Sequence, residues 1–508
     1  EAFIALYIAK HSLLCSVDHL TELCKVQFRD SHASSLKLHT SKCTAIVDNV
    51  LAPHFITELV SDVGDGPYCL LLDESNDISV LKVLGVVIRY FSVKQKKIVS
   101  RFLSLVALED FNADGIIAAL NNCISNIGLL QNLNGISTDN ASVMTGINNG
   151  LYSKLKSEIP HLVLVRCVCH SLELAVSHAY EQTLTKFLDF LVKETYNCFS
   201  QGAGWQITYN TLFVAINDGA EPHKPLWACA TRWISFEPAV KRILEQWLEL
   251  KTLFSVAHEK EHCYMADRLY TLFCDPQSHT YLTVKNVLLE VQAVNKTFEG
   301  NNTDPTKLLD GLVRLITSLG CSVMIPTAQY DFLTCDVHQY LYPHPHLGYE
   351  AEKALRDDCV PEAVEASIRE RCGNLKLVLL EKIQNRLPEN VEILRKMSAF
   401  SVGPIIELTA MKSPEEINKI EVQWRNIHYI LWENVDDTEQ FRNATNEKPF
   451  RELCNLALRI LSLPHSNAEV EHVFSQLNLI KNKLRSCLSL SFVNAILHVC
   501  YKLKRGKC

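Results

Sequence analysis

The sequence predicts a mixed α/β fold, in which a small sheet flanked by helices is accompanied by a long helical block. Between residues 68 and 169, short β-rich runs such as YCLLLDE, LGVVIRYF and IVSRFLSLVAL come first, and strand and helix patterns then alternate. From about residue 170 to 460, nearly every segment has its apolar residues at helical spacing. Three strands in a meander, followed by alternating helices and strands, indicate a mixed sheet rather than a doubly wound parallel one.

The elements follow in chain order. Residues 1–62 are predicted to be helical, and the segment DVGDGP ends that pattern. The polar stretch SVKQKK is typical of a hairpin loop between the second and third strands. Beyond the third strand we expect a helix over NADGIIAALNNCISNIGLL, a fourth strand in LNGIST, one helix across ASVMTGINNGLYSKLKSEI and a fifth strand in LVLVRCVC. No repeat of fixed period is evident in the helical block, which argues against a solenoid.

The composition excludes several classes of protein. With 508 residues, 47% of them apolar, the chain can form more than one sizeable core. Its nineteen cysteines have no regular spacing, which is typical of reduced thiols in a cytosolic or nuclear protein. No apolar run reaches the ~18 residues of a membrane span, and no signal peptide is recognisable. A formal net charge of −7 argues against a protein that coats nucleic acid over its whole surface.

Two clusters of basic residues stand out against this acidic background. One lies within residues 481–508 and the other comprises Lys94, Lys96 and Lys97 in a predicted turn. A local nucleic-acid surface is one interpretation, and ordinary solubility with helix-end charge is the other.

Acidic residues end two of the predicted strands. Asp73 ends the run LLLDESNDIS, and Asp139 stands at the end of the fourth strand in GISTDNASVMTG. Strand alternation places Asp73 on the same face as Leu71, and Glu74 on the opposite face. A carboxylate at the end of a buried strand is costly unless a cation or hydrogen bonds compensate it, and paired carboxylates can hold the magnesium ions of phosphodiester chemistry. An ordinary turn or cap role is the alternative for each aspartate, and we expect it for Asp77.

A third acid lies in the late helical segment SLPHSNAEVEHVFSQLNLIKNKLRS. Ser466 and Glu469 have the spacing of a capping box, which predicts a structural role for Glu469. Glu471 lies beside an apolar stripe that includes Val473 and Phe474, where an acid would face the edge of a buried surface. A solvated flanking residue is the alternative interpretation of Glu471.

These blocks, in this order, resemble the hAT superfamily of DNA transposases and the host proteins descended from them, especially the vertebrate zinc-finger-associated group. The resemblance implies an RNase H-like fold, in which a mixed sheet is interrupted by a large all-α insertion domain. It assigns Asp73, Asp139 and Glu471 as a catalytic triad that holds Mg²⁺ or Mn²⁺. His472 stands where the family usually has an arginine, so a contact made by that arginine is not carried over.

Two further blocks fit the resemblance. RCVCHSLELA matches a Cys-x-x-His element at Cys167 and His170, and ATRWISFEPAVKRILEQW matches a Thr-Arg-Trp block at Arg232 and Trp233. The resemblance implies that His170, Arg232 and Trp233 contact DNA, with the Trp233 ring against an unpaired or flipped base. Cys167 and His170 alone do not complete a tetrahedral zinc site, so no zinc is predicted in this chain.

The resemblance also sets the expected domains, which are an N-terminal helical region (1–62), the first part of the RNase H-like core (63–200), a mostly helical insertion (201–450) and C-terminal helices that complete the core and dimerise (451–508).

Two functions are open at this point. One is a nuclear transposase that cuts DNA and joins the freed 3′ hydroxyl to a target, with DNA and a second copy of the chain as partners. The other is a domesticated, non-catalytic nuclear protein that dimerises and binds DNA or transcriptional regulators. No zinc-finger spacing occurs in the chain, although the family usually has such a DNA reader upstream, and a start at Glu1 is consistent with truncation. No membrane association is expected under either function.

Overall fold

The computed structural model describes residues 1–125, 130–184, 186–201, 203–222, 236–261, 263–283, 286–300, 305–325, 331–342, 345–357, 360–398, 414–429, 450–482 and 487–503. The chain divides into two compact units. The first comprises Glu1–Cys167 and Arg395–Cys508, and the second comprises Val168–Leu394. The divisions expected after residues 62, 200 and 450 stay predictions. No helix among the described residues is long and apolar enough to cross a membrane, and no disulfide joins the described cysteines.

The first unit contains the predicted mixed sheet. Its strands are β1 (Tyr68–Asn76), β2 (Lys82–Ser92), β3 (Lys97–Ala107), β4 (Leu133–Thr138) and β5 (Val163–Arg166). They lie in the order β3-β2-β1-β4-β5. The pairs β1–β2 and β2–β3 are antiparallel, whereas β1–β4 and β4–β5 are parallel. The predicted meander and the mixed sheet are therefore confirmed.

Helices surround this sheet on both sides. Those of the first unit are α1 (Ala2–His11), α2 (Ser16–Gln27), α3 (Thr40–Ile46), α4 (Ala52–Val63), α5 (Ala113–Ile124), α6 (Ser142–Thr145) and α7 (Leu151–Glu158), and later α20 (Pro414–Asn426), α21 (Arg451–Leu461), α22 (Ala468–Ile480) and α23 (Leu490–Leu503). A π-helical turn over Val47–Leu51 joins α3 to α4.

The described part of the intervening chain is helical, as predicted. Its helices are α8 (Val168–Thr183), α9 (Lys186–Gln201), α10 (Ala203–Ile216), α11 (Phe236–Glu245), α12 (Trp247–Glu261), α13 (Tyr264–Cys274), α14 (Pro276–Thr283), α15 (Asn286–Glu299), α16 (Pro305–Val323), α17 (Tyr349–Asp357), α18 (Glu362–Arg386) and α19 (Pro388–Ser398).

Two local predictions were wrong. The single helix expected over residues 141–159 is two helices, α6 and α7, because a tight turn from Gly146 to Gly150 separates them. A Cβ on Gly150 would lie 2.5 Å from the backbone of Gly146, so this turn leaves no room for a side chain. The fifth strand is also shorter than expected, since the chain enters α8 at Val168.

The two faces of the sheet pack in separate cores, as strand alternation predicts. Leu71 of β1 belongs to the core formed with α22, α23 and the N-terminal helices. Leu70 and Leu72 belong to the opposite core, formed with α5 and α7. Because Asp73 continues the alternation from Leu71, it lies on the face that α22 covers.

The C-terminal helix α23 closes the free edge of the sheet along β3. The Asn494 amide accepts a hydrogen bond from the Leu105 N–H (2.7 Å) and donates one to the Leu105 carbonyl (2.8 Å). One helical turn further on, His498 hydrogen-bonds the backbone of Leu103. Burial nevertheless lowers the pKa of His498 to about 4, so its ring is neutral at physiological pH. Edge groups that could otherwise pair with another strand are thus occupied by side chains.

The turn between β1 and β2 has a strained backbone at Val80. Its φ is +63°, a left-handed conformation that is rare for a β-branched residue. Asp77 holds this turn, because its carboxylate accepts hydrogen bonds from the N–H groups of Ser79 (2.7 Å) and Leu81 (2.9 Å). The Val80 side chain itself is 81% exposed and adds little packing.

We expect Val80→Asn to raise the free energy of unfolding by about 1 kcal/mol, because asparagine adopts the left-handed conformation at a lower cost than valine. Thermal or urea unfolding measures this change. Ile78→Asn is the matched control, since Ile78 is an exposed β-branched residue of the same turn and does not have a positive φ. An equal or lower melting temperature for Val80→Asn would contradict the prediction.

Candidate carboxylate site

Asp73 reaches the end of the sheet from its central strand. It is the sixth residue of β1, it pairs with Gly85 of β2, and it is partly buried. One carboxylate oxygen accepts a hydrogen bond from the N–H of Glu74 at 3.0 Å. Glu74 points to the other face, as predicted, and forms an ion pair with Lys82. Of these two neighbouring acids, only Asp73 faces α22.

Asp139 lies beside Asp73 because β4 runs parallel to β1. The last paired residues of the two strands are Leu71 and Ser137. If this register is continued by two residues, Asp73 stands opposite Asp139. The Asp139 carboxylate accepts a hydrogen bond from the Ala141 N–H at 3.2 Å, so the turn role that was the alternative is also fulfilled. A carboxylate has about four acceptor sites, so this bond leaves acceptor capacity for another ligand.

Glu471 is brought to the same end of the sheet by the close approach of α22 to Gly85. A Cβ on Gly85 would lie only 2.7 Å from Val470 Cγ1 and 2.9 Å from the Phe474 ring. The helix therefore packs directly on the strand residue that pairs with Asp73. Glu471 follows Val470 and is partly buried. A larger residue at position 85 would move this helix away from the sheet.

Asn467 fastens the beginning of α22 to β1. Its side chain donates a hydrogen bond of 2.8 Å to the carbonyl of Leu72, the residue before Asp73, and it is only 2% exposed. The predicted capping box was wrong, because Asn467 rather than Ser466 precedes the helix, and the Ser466 hydroxyl accepts its hydrogen bond from the N–H of Ala468 rather than of Glu469. Asn467 serves the long-range contact instead of the local one.

A buried ion pair fastens the other end of α22. Lys481 Nζ lies 2.6 Å from Asp77 Oδ2, and the two side chains are 6% and 1% exposed. Burial alone would raise the pKa of Asp77, but hydrogen bonds from Lys481, Leu81 and Ser79 outweigh it and hold that pKa below its usual value. Asp77 is thus a turn residue, as predicted, and it also anchors the helix. Removing one partner of such a pair typically costs about 3–5 kcal/mol.

Part of the positive charge of the two basic clusters is paired with acids in the described residues, whereas Lys96 and Lys97 of the second cluster are exposed. Lys481 is buried in the ion pair with Asp77, and Lys502 lies 2.6 Å from Glu58. Lys94 of the second cluster pairs with the same glutamate at 3.3 Å. Outside the described residues lie the other basic residues of the first cluster, which are Lys483, Arg485, Lys504, Arg505 and Lys507.

The three predicted catalytic acids interact electrostatically. Burial raises the pKa of Asp73 to about 7, and the negative charges of Asp139 and Glu471 contribute to the same shift. A carboxyl group with a pKa near 7 holds a proton about half of the time at neutral pH. Such perturbed groups occur frequently at functional sites, although a structural cluster of acids would have the same effect.

The three carboxylates are of the right chemical type to bind a divalent cation. Carboxylate oxygens are the ligands that Mg²⁺ and Mn²⁺ prefer, and a cation would offset the like charges that raise the pKa of Asp73. In the described residues, however, no group of three or more His, Cys, Asp or Glu side chains is arranged so that it could hold a metal ion. The side chains of Asp73, Asp139 and Glu471 would have to turn toward one another before they could share one.

Of the other residues that the resemblance singled out, the structure describes Cys167 and His170. Cys167 is buried, and its sulfur accepts a hydrogen bond from the Asn467 N–H at 3.4 Å. His170 is a partly buried residue in the first turn of α8, in the second unit. Arg232 and Trp233 lie outside the described residues. The DNA-contact roles of these last three residues stay predictions.

Sequence patterns missed the residues that position the acids. Gly85 lies inside an apolar strand, where a lone glycine signals a close approach but not its partner. The contacts of Asn467 with Leu72 and of Lys481 with Asp77 join residues 395 and 404 positions apart. No local pattern predicts pairs at such separations.

Two family models match the chain. The model described as ZMYM1/FAM200, RNase-like domain, matches residues 12–150, and the model of the hAT family C-terminal dimerisation region matches residues 433–503. The first match contains Asp73 and Asp139, and the second contains Glu471. The matched segments occur in the order that the resemblance implied, and both lie in the unit that contains the sheet. On these two matches, the chain is a hAT transposase-related protein with an RNase-like domain and a hAT dimerisation region.

Proposed function

We propose that this protein is a DNA-cleaving enzyme of the transposase type, in which Asp73, Asp139 and Glu471 act on a phosphodiester bond with Mg²⁺ or Mn²⁺. The observation that carries the proposal is the raised pKa of Asp73, because it arises from burial and from the other two predicted acids. Asp139, which follows the neighbouring strand, and Glu471 of a distant helix thus act on Asp73 at one end of the sheet. A bound divalent ion would offset the like charges of this cluster.

Each residue has a distinct role in this proposal. When bound, a divalent ion supplies the activation of water and the stabilisation of the leaving oxygen. Asp73 and Asp139 present their carboxylates from adjacent parallel strands, and Glu471 presents a third from α22. Asn467, Gly85 and Lys481 position that helix. His170, Arg232 and Trp233 are proposed to contact the DNA.

We expect the protein to nick supercoiled plasmid DNA in Mg²⁺ or Mn²⁺, and the single variants Asp73→Asn, Asp139→Asn and Glu471→Gln to lower the rate by about 100-fold or more. Conversion of supercoiled to open-circular plasmid measures the rate. Glu469→Gln is the matched control, because it alters an acid of the same helical turn that has no proposed catalytic role. Absence of nicking by the wild-type protein, or equal nicking by the triad variants, would refute the enzymatic proposal.

The pKa of Asp73 predicts a pH-dependent cost to stability. Its folded-state pKa of about 7 is above the ordinary value of 3.8, so the folded protein binds the proton more tightly than the unfolded chain does. Stability therefore falls as pH rises from about 4 to 7. Asp73→Asn removes this penalty. The free energy of unfolding that the variant gains over the wild type should therefore be larger at pH 8 than at pH 5, by on the order of 1–3 kcal/mol.

Thermal unfolding at the two pH values, with and without Mg²⁺, measures this effect. Added Mg²⁺ should stabilise the wild-type protein more at pH 8 than at pH 5, and should have little effect on Asp73→Asn. Asp65→Asn, an exposed aspartate outside the cluster, is the control. A stability difference between Asp73→Asn and the wild type that does not change with pH would show that Asp73 has no raised pKa.

A second candidate function is a non-catalytic protein that self-associates and binds DNA or transcriptional regulators. The observation that favours it is the match to the dimerisation region, which supports self-association whether or not the acids are active. In that region, Leu479 on α22 is 68% exposed. A large apolar residue this exposed is a candidate contact for a second copy.

We expect light scattering at micromolar concentration to give at least twice the monomer mass of 57.5 kDa, and Leu479→Glu to shift the protein toward the monomer. Leu248→Glu is the matched control, because Leu248 is 61% exposed in the other unit and outside the dimerisation match. A strictly monomeric wild-type protein would exclude self-association, and dimers that tolerate Leu479→Glu would place the interface elsewhere.

A further inference from the structure

A groove of about 550 Å³ lies in the helical unit, between α18 and a wall formed by Val323, Leu341, Tyr342 and Pro345. This volume is in the range of sites that enclose a small molecule or a few side chains. Its apolar lining comes from Val323, Leu341, Pro345 and Leu377. None of the site residues discussed above contributes to it.

Small residues of α18 shape the groove. Ala366 is exposed in the middle of the lining, between the acids of the neighbouring turns. At Gly373 the helix meets the opposite wall, because a Cβ there would lie 2.8 Å from Pro345 Cγ. The exposed face of α18 thus forms the floor of the groove over more than two turns.

The opposite wall presents an aromatic and an aliphatic side chain to solvent. Tyr342 is 44% exposed and Leu341 is 37% exposed. Backbone hydrogen bonds fix this wall, since Tyr342 N–H donates to the Val323 carbonyl at 2.8 Å and Ile325 N–H donates to the Tyr340 carbonyl at 2.9 Å. An exposed tyrosine on a fixed wall is typical of surfaces that bind other proteins.

The charge of the groove is negative, because its one lining cation is already engaged. The Arg369 guanidinium donates two hydrogen bonds to the Glu352 carboxylate (2.9 and 2.8 Å) and one to Glu365 (2.8 Å). Glu362 and Glu370 are exposed along the same helix. Among the residues that the structure describes, no lysine or arginine forms a salt bridge with either of these two acids.

We propose that this groove binds a peptide segment of a partner protein in which leucine-type side chains alternate with lysine or arginine. The apolar lining and Tyr342 would take the apolar side chains, and Glu362 and Glu370 would pair with the basic ones. The same negative charge disfavours nucleic acid, whose phosphates it would repel. The groove is therefore a protein-binding surface in addition to the carboxylate site, and it requires no catalysis.

Fluorescence anisotropy with a labelled octapeptide of alternating leucine and lysine tests the proposal on the full chain. We expect saturable binding that is weakened about tenfold or more by the double variant Glu362→Lys with Glu370→Lys, because each reversal replaces an attraction by a repulsion. Ala366→Trp should weaken binding to a similar degree by filling the groove without changing its charge. Glu259→Lys, an exposed acid on α12, should leave the affinity unchanged.

Two further probes separate the proposed partner from others. A peptide with serine in place of leucine should lose binding, and a labelled DNA duplex should show no binding that Ala366→Trp weakens. Binding that tolerates Ala366→Trp, or that Glu259→Lys weakens as much as the groove variants do, would show unspecific charge attraction and overturn the proposal. Binding of the labelled DNA duplex that Ala366→Trp weakens would overturn it in favour of a nucleic-acid surface, and absence of peptide binding would refute it directly.

Discussion

The packing of α22 on the two central strands is the constraint on which the rest of the candidate site depends. Gly85 permits close contact between helix and strand, because a Cβ at this position would lie only 2.7 Å from Val470 Cγ1. Asn467 holds the first turn of the helix, and the Lys481–Asp77 ion pair holds its last turn. Each contact involves a residue close to Asp73: Gly85 is its partner on β2, and Leu72 and Asp77 are near it in sequence. They fix the helix along its whole length, so the position of Glu471 does not depend on its own side-chain contacts.

The same arrangement is costly for the folded state. Burial and the negative charges of Asp139 and Glu471 raise the pKa of Asp73, so an ionised Asp73 destabilises the folded protein. The contacts of Asn467 with Leu72 and of Lys481 with Asp77 stabilise the fold, and they join α22 to residues on either side of Asp73. A fold that stabilises the frame of a site while its polar groups remain strained is the usual relation between stability and activity.

The sequence allowed the sheet, its meander and the face of Asp73 to be predicted, because these depend on patterns of two to ten residues. The helix over residues 141–159 was wrong because an apolar period does not reveal the tight turn from Gly146 to Gly150. The capping box at Ser466 was wrong because Asn467 bonds to a strand 395 positions away. Local patterns failed wherever tertiary contacts competed with them.

The closure of β3 by α23 has a consequence for synthesis. Leu105 and Asn494 are 389 residues apart, and a ribosome that adds 5–20 residues per second needs roughly 20–80 s to make the intervening chain. During that time the edge of β3 has no side chains to occupy its backbone groups, although the β1–β3 meander can already form. Until α23 has been made, the backbone groups of this edge are therefore open to pairing with other strands.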